Sequence, residues 1–317
     1  MNKLTVIITF KNEGIEVAKT IGSLREKAAS NFPIILINDG SDDGFDYSSL
    51  SCDPYILYIR HDRSIGPGAS RNQGVSLCKT DYFILMDAHM RAETTEWDKA
   101  IIKELEKQER CIYCCLTERL LIVNDGAYVT ENKAIGMGVE LDLETLNYKW
   151  INFDNTYFPN KETLDIPCIM GASYCCSKYY WNKIHGLNGL HSYGLEEQLL
   201  SLKTHLEGGS CKVICKVIFS HKFRSIEEVP YQASSIDFIY NKIYIIELLY
   251  SGILKKKAFQ ILKGLSETES FSQAMEKLKE NKEFIHQEKI FINEHFPNTI
   301  DYVIKHYNKV SLYEEKN

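Results

Sequence analysis

An α/β fold is predicted: a mostly parallel sheet flanked by helices, followed by a C-terminal helical extension. Three observations predict it. Short, unbroken apolar runs recur between residues 4 and 87, separated by stretches with helical spacing. Runs of that kind are strands buried on both faces, as in a parallel sheet covered by helices. Polar residues with chemical potential gather just after each run, where open parallel sheets bind ligands. From about residue 225 onward, apolar residues keep helical spacing.

The elements follow in order. LTVIITF (4–10) is the first strand, and Val17, Ala18, Ile21, Leu24, Arg25 and Ala28 mark the helix after it. PIILIN (33–38) is a second strand, stopped by Asp39-Gly40-Ser41, and YILYIR (55–60) a third. Gly66 to Lys79 forms a helix entered through a Gly-Pro-Gly turn, and YFILMD (82–87) is the fourth strand. Residues 92–224 are mixed. They hold a helix near 95–108, strands at 111–116 and 120–123, and an Asn- and Tyr-rich stretch (147–165) suited to a mobile lid. PCIMGASYCCS follows, then a helix from Glu196 to Leu206 ended by Gly208-Gly209, and the strand KVICKVIF (212–219). Ile236, Ile239, Tyr240, Ile243, Ile246, Leu249, Tyr250 and Ile253 form a helical stripe, most of it core. The Lys255-Lys256-Lys257 tail of that stripe leaves room for peripheral membrane contact or a partner.

Composition narrows the function classes. The chain has 317 residues, 37 basic against 43 acidic, for a net charge of −6. No basic excess exists for a nucleic-acid binder, although one small phosphate ligand remains compatible. With 44% hydrophobic and 25% charged residues, the chain is ordinary globular protein. Most of the ten cysteines lie in apolar runs, where a free thiol acts as a small hydrophobe. Cys111-x-x-Cys114 is half a zinc knuckle without its second half. The start, MNKLTVIITFKNE, has no cleavable leader pattern, and no uncharged stretch is long enough to span a bilayer. The expected location is the cytoplasm, with room for contact at the inner membrane face.

Asp87-Ala88-His89 ends the fourth strand. On extended chain, residues i and i+2 point the same way, so a carboxylate and an imidazole would share one side. That pair suits Mn²⁺, and Mg²⁺ less well. The alternative is a strand-end Asp capping a helix beside an exposed His. His221 is equally readable as a satisfied core histidine, Glu13 as a helix cap, Asp39 as a turn residue and Arg71 as a surface ion pair.

Taken together the motifs make an ordered series. Phe10-Lys11-Asn12-Glu13 follows the first strand, INDGSDDG the second, and RSIGPGASRNQG precedes Asp87-Ala88-His89. YGLEEQLLSLKTHLEGG (193–209) and Ser220-His221-Lys222-Phe223-Arg224 come later. This series resembles the GT-A nucleotide-sugar glycosyltransferases of the family 2 type. It is similar above all to the polypeptide N-acetylgalactosaminyltransferases, over about residues 3–225. The resemblance implies a GT-A domain at 1–224, with a nucleotide-binding half (1–91) and an acceptor half (92–224), then a helical region at 225–317. It implies that Thr9, Phe10, Glu13 and Asp39 hold the nucleoside of a UDP-sugar, that Asp87 also meets the donor, and that Arg71 orders the site near the diphosphate or the Asp87 motif. It also implies that Asp87, His89 and His221 bind Mn²⁺ or Mg²⁺. A glycan or protein would be the acceptor.

The acidic pair bears on mechanism. Inverting relatives read E-D at this position and retaining ones E-N, whereas this chain has Glu196-Glu197. A carboxylate at 197 favours inversion, with Glu197 as general base and Glu196 contacting donor or acceptor. The D-A-H motif leans toward the retaining relatives. Leu195 stands where relatives have Gly, and Tyr193 where they have Trp, so the donor sugar is not carried over.

Overall fold

The computed structural model describes residues 3–123, 127–153, 161–224, 228–230 and 234–307. The predicted alternation is present at its N-terminal end: β1 (Leu4–Phe10), α1 (Glu16–Lys27), β2 (Ile34–Asn38), β3 (Ile56–Arg60), α2 (Pro67–Leu77) and β4 (Tyr82–Met86). A short β5 (Met90–Ala92) and α3 (Trp97–Leu105) follow. Next come the long β6 (Cys111–Val123) and β7 (Ala127–Leu141), then β8 (Tyr148–Phe153), β9 (Thr163–Asp165), β10 (Ser173–Ser177) and α4 (Lys178–Lys183). The domain continues through α5 (Glu196–Glu207) and β11 (Ser210–His221). The chain then turns helical: α6 (Ser235–Leu249), α7 (Gly252–Leu265), α8 (Thr268–Glu280), α9 (Lys282–His295) and α10 (Ile300–Tyr307).

The strands join in one sheet of order β3-β2-β1-β4-β10-β6-β11-β5, with β7 and β8 extending from β6 and β9 pairing β11. The four strands from β3 to β4 are parallel, and β10 runs antiparallel between β4 and β6. Strand side chains alternate between faces, so each strand feeds two cores. Ile7, Ile35, Ile37, Phe83 and Leu85 belong to one, and Leu4, Val6, Ile8, Ile34, Leu36 and Ile84 to the other. Helices α1 and α3 contribute Val17, Leu24, Trp97 and Ile101 to the second core. Helix α2 and the C-terminal helices complete the first, through Val75, Tyr240, Ile243, Ala258, Ile285 and Val303. Residues 235–307 therefore share a core with the parallel strands. Nine of the ten free cysteines are buried, spread over both cores as small apolar groups.

Three details depart from the sequence reading. Thr117-Glu118-Arg119 does not divide two strands. It stays in β6 because Thr117, Glu118 and Arg119 pair with Phe219, Ser220 and His221 of β11. The stripe ending at Ile253 also breaks: α6 stops at Leu249, and Ile253 opens α7 at 85% exposure. The Asn- and Tyr-rich stretch contains β8 and β9, while its residues 154–160 lie outside the described residues.

Candidate active site

A cleft of about 700 Å³ opens at the carboxyl ends of the parallel strands. Its walls bring together all ten candidate residues: Thr9, Phe10, Glu13, Asp39, Arg71, Asp87, His89, Glu196, Glu197 and His221. Their side chains do different things there.

Asp87 and His89 do not lie on extended chain. Strand β4 ends at Met86 and residues 88–89 form a turn, so the alternation argument does not apply. Tertiary pairing supplies the geometry instead. His221 is the register partner of Met90 across β11 and β5, which seats its ring beside that turn. One ligand atom from each of Asp87, His89 and His221 lies within 4.8 Å of the other two. The two imidazole centroids are 4.7 Å apart. Both ring nitrogens of His221 and Nδ1 of His89 are buried without a hydrogen-bond partner. His221 Nε2 stands 3.4 Å from Asp87 Oδ2, a contact without hydrogen-bond alignment. Orphaned buried nitrogens cost roughly 1–3 kcal/mol each, and a divalent cation between the Asp87 carboxylate and one nitrogen of each ring would satisfy one of those on His221, leaving His89 Nδ1 to the neighbouring Glu13 carboxylate. An O,N,N donor set of this kind fits Mn²⁺.

Charge reinforces that set. Burial pushes the Asp87 carboxyl up, but His221, Arg71 and His89 prevail and hold it down at about 2. It is ionised at any working pH. Arg71, on α2, donates to Asp87 Oδ1 at 3.0 Å and approaches Glu196 Oε1 at 3.6 Å. Burial pulls the other way, yet Tyr174, Asp87 and the two glutamates keep this guanidinium charged.

Glu13 lines the cleft with its carboxylate already engaged by protein groups. It accepts both arms of the Arg224 guanidinium, at 2.7 Å on Oε1 and more closely on Oε2. His89 Nδ1 is 3.2 Å from Oε2. Burial raises the Glu13 carboxyl, and Arg224 and His89 more than reverse that, so it stays below the usual range. Glu13 therefore orients the His89 ring from behind, as carboxylates commonly do for ligating histidines.

Asp39 is similarly engaged. Its oxygens accept from His61 Nδ1 (2.8 Å), Ser64 Oγ (2.6 Å), Ile65 N (2.9 Å) and Gly66 N (2.9 Å). Despite burial, these bonds lower its pKa. Asp39 thus shapes the 61–66 loop into a cleft wall. The Phe10 ring packs on Tyr47 at 4.6 Å in the core, and Thr9 stands at the open end of β1.

The acidic pair forms the first turn of α5. Glu196 is buried beside Arg71, with Oε1 left without a hydrogen bond. Burial first, then Glu196, raises the Glu197 carboxyl, against the pull of Arg71. Burial likewise raises Glu196. A helix N-terminus favours the charged form, but here desolvation wins, and the pair binds a proton above the ordinary carboxylate range. Leu195 caps α5 at φ 74°, in the left-handed region. That conformation costs a non-glycine residue roughly 1–2 kcal/mol, which accounts for the glycine of the related motif.

Sequence reading missed several contributors. Arg224 sits in the H-x-F-R motif, but only the fold reveals Glu13 as its partner. His61 could have been found by the same rule as the others, since it directly follows β3. Gly171 gave no signal in spacing or composition. Tyr148, Trp150 and Phe223 make an aromatic rim, with Phe223 edge-on to Trp150 at 5.4 Å and to His221 at 4.5 Å.

Residues 5–132 match the family model Glycosyl transferase family 2. Over that stretch the chain is similar to family 2 glycosyltransferases, and its sheet and flanking helices have the GT-A arrangement. The chain is 24% identical over 228 residues to human polypeptide N-acetylgalactosaminyltransferase 16, covering 69% of this chain and 40% of that protein. It is 32% identical over 92 residues to the teichoic acid poly(glycerol phosphate) polymerase of Staphylococcus epidermidis, covering 28% of this chain and 13% of that one. The chain thus spans less than half the length of these relatives. Its fold is shared with GalNAc-T7, solved with UDP, GalNAc and Mn²⁺, at a TM-score of 0.76 and 17% identity. That match covers 99% of this chain and 58% of GalNAc-T7. S. aureus TarS 1–349, solved with UDP-GlcNAc, superposes at a TM-score of 0.50 and 15% identity, covering 97% and 92% of the two chains. Family 2 relatives use nucleotide-sugar donors, and the cleft stands on the strand ends expected for one.

Proposed function

We propose that this chain is a metal-dependent glycosyltransferase moving a sugar from a UDP-sugar to a hydroxyl of a glycan or protein acceptor, with inversion at C1. The observation that carries this reading is the shared cleft, with Asp87, His89 and His221 on one wall and Glu196-Glu197 on another. A divalent cation held by Asp87, His89 and His221 would neutralise the charge growing on the leaving diphosphate. Arg71 keeps Asp87 ionised and oriented, and Glu13 with Arg224 fixes the His89 ring. Glu197 takes the acceptor proton as the acceptor oxygen bonds to C1 and the C1–O bond to the diphosphate breaks. Its raised pKa makes it a stronger base than an exposed carboxylate. Glu196, neutralised by Arg71, keeps the pair from carrying two uncompensated charges. Leu195 fills space where relatives have glycine, so the donor sugar differs in size or shape from N-acetylgalactosamine.

A second reading, retention, is favoured by Asp87-Ala88-His89 and by the likeness to the N-acetylgalactosaminyltransferases. The anomeric configuration of the product separates the two. The donor class is tested by thermal stability against UDP, GDP and CDP, each with and without Mn²⁺. A rise with UDP that needs Mn²⁺ is expected. A rise with GDP or CDP instead would discard the donor, and none with any nucleotide would favour a non-catalytic glycan-binding module.

The buried free thiols suit a reducing compartment such as the cytoplasm. No helix among the described residues is long and apolar enough to cross a membrane. Peripheral contact is a separate matter. Helix α7 carries four lysines and no acidic residue, and the two most exposed large apolar side chains among the described residues are its Ile253 and Leu265, at 85% and 72%. We assign this helix as a contact for anionic membrane surfaces. Co-sedimentation with vesicles containing phosphatidylglycerol is expected, weakened in Lys256→Gln/Lys263→Gln and in Ile253→Asp. Equal binding by all forms would remove the assignment.

A further inference from the structure

We infer that Gly171 is a positioning residue for the Glu197 carboxylate, its missing side chain being the space the carboxylate occupies. The inference deepens the reading of Glu197 as base and rests on it only for its consequence in turnover. A Cβ on Gly171 would stand 1.7 Å from Glu197 Oε1, 2.7 Å from its Cδ and 3.3 Å from its Cγ. No methyl group fits there unless the carboxylate leaves. The backbone does not otherwise ask for glycine, because Gly171 is not among the residues at positive φ. The requirement is space rather than conformation.

The segment around Gly171 is held at both ends. Ile169 N donates to Ser201 Oγ at 3.1 Å and Cys168 Sγ to the Glu197 carbonyl at 3.5 Å, which ties the segment to α5. Asp87 N donates to the Ala172 carbonyl at 3.0 Å, which ties it to the metal-side turn. Residues 168–172 thus form a ledge between the acid pair and Asp87, and the Glu197 carboxylate rests on its one bare position. An aspartate at 197 would end about 1.5 Å short of that place, one C–C bond. Glu197 and Gly171 are therefore matched: the longer acid needs the absent methyl.

The test is a double-mutant cycle on the full chain: wild type, Gly171→Ala, Glu197→Asp and the double variant, each followed by thermal midpoint and by turnover. Gly171→Ala is expected to lower the midpoint and to cut kcat by at least about tenfold, since misplacing a catalytic group by an ångström costs up to about a hundredfold. UDP–Mn²⁺ affinity is expected to stay unchanged. In the Glu197→Asp background the added methyl should cost little, so the effects on midpoint are strongly non-additive. Additive effects on midpoint, or a crystal structure of Gly171→Ala with Glu197 in its original place, would overturn the inference. The two readings fail separately. Coupled midpoints with undiminished turnover in Glu197→Gln would keep Gly171 as the positioning residue and remove Glu197 as the base.

Discussion

Glu197→Gln should lower turnover by at least about a hundredfold, or about 2.7 kcal/mol of transition-state stabilisation, the usual scale for a lost general base. The amide keeps the size of the side chain over Gly171, so the cleft and UDP–Mn²⁺ binding should persist. Initial rates and nucleotide titrations on the same preparation check both halves. The pH profile adds a second test. Burial and the neighbouring Glu196 raise the Glu197 carboxyl, and only its deprotonated form can accept a proton. Activity should therefore rise with pH through a limb above the ordinary carboxylate range. Glu196→Gln removes the neighbouring charge and should move that limb to lower pH. Retained turnover in Glu197→Gln would hand the proton to another group or favour the retaining reading.

Asp87→Asn should abolish Mn²⁺-dependent nucleotide binding. The substitution removes the one carboxylate of the set and leaves Arg71 facing Glu196 alone. The wild type should gain about 2.7 kcal/mol from UDP–Mn²⁺ at a hundredfold excess over Kd, and the variant none of the metal-dependent part. Calorimetric titration with UDP, with and without Mn²⁺, measures this directly. Near-normal affinity would sink the assignment of Asp87, His89 and His221 as ligands.

Local pattern carried much of the architecture. Unbroken runs such as LTVIITF and YFILM can satisfy their burial only between two layers of helices, and β1 and β4 lie there. The rule that ligands meet the ends of parallel strands points to Thr9, Asp39 and Asp87 from the sequence. It did not reveal the protein partners of Asp39 and Glu13. Both read as donor contacts, and both have most of their hydrogen-bonding capacity taken by His61, Ser64 and backbone amides in one case and by Arg224 in the other. Partners distant in sequence leave no trace in periodicity.

Legible in the residue pattern were the α/β class, the strand ends where polar residues gather, the acid pair and the ordered motifs. Those features are short-range: apolar period, turn residues and ordered motifs are written within a few residues of each other. How they meet depends on long-range packing. Pairing of β11 with β5 brings His221 to Asp87 and His89. Asn241 of α6, fully buried, holds the loop before Glu196 through His191 N and O (both 2.8 Å) and Gly194 O (3.0 Å). The C-terminal helices thereby support the cleft wall that carries the acid pair. Gly171 became meaningful only when the space its missing methyl leaves was found filled by Glu197. Packing, unlike pattern, is a property of which surfaces touch, and only the folded chain specifies that.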